Sequence, residues 1–101
     1  MKTKKEFKQF AENAGRDYAM SFRDAFAKYS TRTYVTRFAK ARCTNWLDNL
    51  DDKGIEIPQE MKELCVKAFT NTFINNTMDY INNLPKTTNP YVINAQKKSN
   101  N

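Results

Sequence analysis

The side chains best placed to do chemistry in this sequence are cations. Lys28, Arg32, Arg37, Lys40 and Arg42 fall in a stretch with no acid between Asp24 and Asp48, and Arg16 and Arg23 precede them. Residues 1–43 hold 11 Lys and Arg against 4 Asp and Glu, residues 44–84 hold 3 against 7, and the last stretch adds Lys86, Lys97 and Lys98. A chain polarised in this way presents one positive surface, the chemistry that grips phosphates or an acidic protein. The expected partner is therefore nucleic acid or a nucleoprotein complex, with an acidic protein surface as the alternative.

Catalysis is not expected. There is no His, which removes the commonest general base and nitrogen ligand for metals. Cys43 and Cys65 are too far apart in sequence for a zinc or redox pair, and Gly15 and Gly54 are isolated, so no glycine-rich loop cradles a phosphate. Asp51-Asp52 reads as turn and cap chemistry rather than as a pair of catalytic acids. The expectation is a binding protein with no cofactor and no metal.

These cations must be carried by helices. With 101 residues, 40% of them hydrophobic, and only two Gly and three Pro, the composition favours a few long helices around one core. The expected fold is all-α, a small three-helix up–down–up bundle over residues 1–84, with 85–101 a mostly disordered polar tail. No apolar run approaches the ~20 residues of a membrane span. Glu6, Lys8 and Gln9 stand where a signal peptide would turn apolar, so a cytoplasmic location is expected.

Phe7, Ala11, Ala14, Tyr18, Phe22, Ala25 and Tyr29 recur at helical spacing and predict a first helix, opened by a Thr3/Glu6 capping box. Val35, Phe38, Ala39, Trp46 and Leu50 mark a second, capped by Ser30 or Thr31 and ended before Gly54. Pro58 fits the first turn of a third, which runs to about Leu84. Within the tail, Tyr91-Val92-Ile93 is the one apolar cluster, a candidate strap onto the core.

Apolar residues wrap most of the third helix. Either it splits near Thr70–Thr72, or both other helices cover it, or Phe73, Ile74, Met78, Tyr80 and Ile81 form a symmetric homodimer interface. The last of these gives a second functional class, an interaction or immunity module that binds a partner chain through this surface.

Two register expectations follow from folding the helices back on one another. Cys43 and Cys65 each lie eleven positions from Gly54, so they should meet in the core as reduced thiols. Turning the chain about Ser30 brings Asp17 level with Arg42, which projects into the apolar arc and needs either that structural partner or a phosphate. The same register sets Ala11, Ala14 and Gly15 under Trp46 and predicts a tight contact between the first two helices. Asn45 and Asn49 are the only amides on the second helix and sit near its end, which favours backbone or shape recognition over base reading in a groove. Short, rich in Asn and Lys, and without catalytic residues, the chain is similar in type to regulators, inhibitors and immunity factors of phages and plasmids.

Overall fold

The computed structural model describes residues 2–85. They form α1 (Lys4–Ser21), α2 (Arg32–Asp52) and α3 (Gln59–Asn82), with one 3-10 turn at Arg23–Ala25 and no strand among the described residues. Tyr91, Val92, Ile93 and the rest of the expected tail beyond Pro85 lie outside the described residues.

The helix starts follow local chemistry. The Thr3 hydroxyl accepts from the Glu6 N–H at 3.2 Å and the Glu6 carboxylate accepts from the Thr3 N–H at 3.5 Å, so two orphan donors are satisfied reciprocally. At α2 the cap is Thr31, whose Oγ1 accepts from the Tyr34 N–H at 3.1 Å. Ser30 serves the preceding turn instead and accepts from the Ala27 N–H at 2.9 Å. After α2, Gly54 takes φ 73°, and the N–H groups of Gly54 and Ile55 reach back to the carbonyls of Asp51 and Leu50 at 3.0 and 2.8 Å. Pro58 stands one position before α3 rather than inside its first turn.

The first helix is shorter than its apolar spacing predicts. It ends at Ser21, and Phe22 leaves the helix at φ −108°, ψ 16°, whereas the pattern runs on to Tyr29. A helix continued to Tyr29 would leave only Ser30 and the N-cap Thr31 to reverse the chain into α2, the bare minimum of the ~2–5 residues that helical hairpins use. The reversal therefore takes its residues from α1, and Phe26 turns inward from it to pack edge-on against Phe38 (5.0 Å) and Phe73 (6.2 Å).

The core is built around α3. Phe69 is fully buried, stacks on Trp46 of α2 at 5.1 Å, and receives the edge of Tyr18 of α1 at 5.3 Å. The tight seam lies between α1 and α3, not between α1 and α2 as the register predicts. A Cβ on Gly15 would stand 2.5 Å from the Phe69 carbonyl oxygen, so only glycine lets the two backbones approach this closely. Trp46 stacks on Phe69 and meets Phe10 at 5.7 Å.

Because both other helices pack on it, α3 is apolar over most of its circumference, with Glu63, Lys67, Asn71, Asn75 and Asp79 as its exposed stripe. It runs unbroken through Thr70–Thr72, where the Thr70 hydroxyl donates back to the Val66 carbonyl at 2.8 Å. This corrects the expected dimer surface. Phe73, Ile74 and Ile81 are buried within the chain's own core, and Met78 and Tyr80 pack half-buried against it. Their spread around the helix reflects two intramolecular neighbours, and little of that surface remains for a partner.

Cys43 and Cys65 are free and buried. Burial, and secondarily the nearby Cys65, pushes the Cys43 thiol up to about 11; burial also raises Cys65, whose Sγ donates to the Phe7 carbonyl at 3.7 Å. Both side chains act as small hydrophobes.

Candidate functional site

The reversal between α1 and α2 gathers most of the cations singled out from the sequence. Arg23 lies in the 3-10 turn, Lys28 in the connection, Arg32 at the first position of α2, and Arg37 and Lys40 on its exposed side. Two of them are held by local structure: Arg23 places its guanidinium over the Tyr80 ring at 5.2 Å, and the Lys28 ammonium donates to the Asn82 carbonyl at 3.0 Å. The Lys28 contact also fixes the end of α3 beside this turn, where a cation favours the negative helix terminus. Arg32, Arg37 and Lys40 are exposed, and among the described residues the ion pair present is Lys67–Glu63 on α3, at 3.3 Å. These three cations therefore face solvent without a carboxylate partner among the described residues.

Two expected site residues are placed differently. Arg16 stands on the exposed side of α1, where its Nη1 donates to the Asn13 side chain at 3.3 Å, apart from the reversal. Arg42 does not pair with Asp17, which is exposed. Since α1 stops at Ser21, Phe22 rather than Asp17 comes level with Arg42, and the guanidinium rests on Phe22 and Phe38, each at 5.1 Å. Its Nε is buried and unpartnered among the described residues. A half-buried guanidinium on two rings is a packing element, stabilised by the ring quadrupoles and by its own apolar stem.

The sequence pattern misses two residues here. Tyr29, assigned to the inner face of the first helix, is 71% exposed, and Tyr34, unassigned, is 46% exposed. With Ala25, Ala27, Ser30 and Thr31 they line an open pocket of about 330 Å³ at the reversal. No local signal marks them: Ser30 and Thr31 fix where α2 starts and not where α1 ends, and the apolar spacing runs on through Tyr29.

At the opposite end, Asp48, Asp51, Asp52, Glu56, Glu60 and Glu63 flank the α2–α3 turn. Among the described residues no three His, Cys, Asp or Glu side chains gather as a metal cluster, and no helix is long and apolar enough to cross a membrane. Comparison with protein-family models, with curated proteins and with solved structures returns no match.

Proposed function

We propose that this chain is a non-catalytic, cytoplasmic nucleic-acid-binding protein that docks the basic end formed by the α1–α2 reversal on the phosphate backbone, in the manner of a small regulator or inhibitor of a nucleoprotein complex. What carries this reading is the exposure of Arg32, Arg37 and Lys40 with no carboxylate partner among the described residues. Cations that are not neutralised within the fold are available to release counterions from a polyanion.

The reading takes the helices as an up–down–up bundle. That order is supported by contacts that advance together on α1 and α3 (Cys65 with Phe7, Phe69 with Tyr18) and in opposite senses on α2 and α3 (Trp46 with Phe69, Phe38 with Phe73). In it the reversal and the C-terminal end of α3 share one end of the molecule.

The test is fluorescence anisotropy with labelled oligonucleotides across a salt series. The wild-type chain binds with an affinity that falls steeply with salt. An R32Q/R37Q/K40Q variant keeps its helical circular dichroism and shows a slope shallower by up to about 2–3, since each lost phosphate contact removes ~0.7–0.9. Binding that does not respond to salt, or full affinity in the variant, rejects the reading.

A further inference from the structure

The pocket at the reversal has a composition unlike the rest of the surface. Two of its walls are tyrosine rings, and both stay substantially open although rings elsewhere pack on one another. Tyr34 is steadied from one side by the Phe26 ring at 5.8 Å and the Phe38 ring at 6.2 Å while 46% of it remains exposed. Tyr29, 71% exposed, has no ring neighbour among the described residues. The methyl groups of Ala25 and Ala27 supply apolar lining.

The hydroxyls of Ser30 and Thr31 accept from the N–H groups of Ala27 and Tyr34, which leaves each O–H proton free to donate. Arg32 follows the lining directly, Arg37 sits one helical turn beyond Tyr34, and Asp24 is the one carboxylate flanking the segment. At about 330 Å³ the pocket is at the lower end of the range for small-ligand sites.

Exposed rings beside cations are the elements with which proteins hold single strands: the rings stack on unpaired bases and the cations track the backbone. We infer that this pocket receives an unpaired thymine of single-stranded DNA, stacked against Tyr29 and Tyr34 with its flanking phosphates on Arg32 and Arg37. Alanine and threonine methyls are the usual apolar partners of the thymine C5-methyl, and the free hydroxyl protons suit its carbonyl oxygens. In a duplex the base faces are stacked and closed to the pocket. The inference rests on the proposed nucleic-acid reading and adds to it the strand state and the base.

The probe is a fluorescein-labelled dT12 strand, compared with a hairpin duplex and with rU12, using the full chain. Expected are tighter binding of dT12 than of either competitor, and about a tenfold or greater loss for Tyr29→Ala and for Tyr34→Ala with the salt slope unchanged. Tyr34→Phe, which keeps the ring, retains binding and guards against a folding defect in Tyr34→Ala; Tyr29 is exposed, so Y29A folds as wild type. Wild-type affinity for dT12 in Y29A, or rU12 or the duplex binding as tightly as dT12, overturns the inference. If the tyrosine variants bind normally while R32Q/R37Q/K40Q loses affinity and slope, the pocket fails and the basic-surface reading stands. Absence of binding to all three probes fails both.

Discussion

The two ends of the molecule are made from similar materials and use them in opposite ways. At the α2–α3 turn the chain reverses tightly on Gly54, Ile57 is buried, and the nearby rings of Trp46, Phe69 and Phe10 pack inward. Charges there are mixed: residues 48–63 hold six acids against Lys53 and Lys62, and the lysine-rich start of α1 lies at the same end, with Lys2 over the Phe10 ring at 4.2 Å. At the α1–α2 reversal the chain takes ten residues, Phe22 to Thr31, and leaves a pocket in them. Residues 22–42 hold six cations against one acid, and Tyr29 and Tyr34 remain outside. One end balances its charges and buries its rings, which favours stability. The other leaves its charge count unbalanced, and Arg32, Arg37 and Lys40, exposed there with Tyr29 and Tyr34, are the groups available to a partner.

If the packed end is the source of stability, truncating its largest ring carries the largest cost. Trp46→Ala removes a ring that stacks on Phe69 at 5.1 Å and is only 5% exposed, so chemical denaturation should show a loss of about 3–5 kcal/mol. A loss under ~1 kcal/mol would mean that the ring does not fill the core.

Gly15→Ala tests the seam on which that end is built. The added Cβ meets the Phe69 backbone oxygen at 2.5 Å, and a backbone atom inside a helix cannot swing aside, so the helices must separate. Alanine gains up to ~1 kcal/mol of helix propensity, but the expected net is a loss of about 1–3 kcal/mol. A neutral or stabilising outcome would show that the seam is looser than described.

These residues also mark how far the sequence could be read. Three helices, the capping box at Thr3, the Thr31 cap and the left-handed Gly54 were legible because each depends on chemistry within a few residues. What was missed depends on residues far apart. The apolar spacing of α1 continues past Ser21, and only the space needed to reverse the chain ends the helix there. That shift moved every register built on it: Arg42 came to rest on Phe22 and Phe38 instead of Asp17, and Gly15 faced α3 instead of Trp46. The wrapped apolar pattern of α3 was visible, but periodicity cannot distinguish two intramolecular neighbours from one neighbour and a dimer partner. Of the candidate site, the cations were legible from composition and the two tyrosines were not, because their exposure follows from where α1 ends.

The cysteines sharpen the packed end further. The Cys43 thiol, held at about 11 against an ordinary value of 9.0, keeps its proton in the folded state at pH values where the unfolded chain has lost it. The sign is that of a raised acid: the contribution is complete below pH 9 and is lost as pH rises toward 11. Urea midpoints should therefore fall over that interval more steeply in the wild type than in Cys43→Ala. Equal slopes would place the thiol in a wetter site.

Between the two ends, Arg42→Lys keeps the charge but loses the planar group lying on Phe22 and Phe38, so about 0.5–1 kcal/mol of stability should go. No loss would indicate that the guanidinium is free of the rings and available for phosphate.

The smallest expected effect bears most directly on the contrast between the ends. Tyr29→Ala removes a large aromatic side chain, as Trp46→Ala does, yet Tyr29 is 71% exposed and touches no other ring among the described residues. The transfer free energy that makes core truncations costly scales with the area removed from water, and most of this ring was never removed from it. Chemical denaturation should place Y29A within about 0.5 kcal/mol of wild type, the usual range for surface substitutions. The R32Q/R37Q/K40Q variant should behave alike, because exposed charges contribute little and the removal of like-charge repulsion offsets what is lost. A loss above ~1.5 kcal/mol in Y29A would mean that the tyrosine is covered, and the reversal would then be a second packed end. A neutral result, set beside the large cost at Trp46, would show two aromatic side chains of one small fold placed to opposite effect, one holding the helices together and the other left open to solvent.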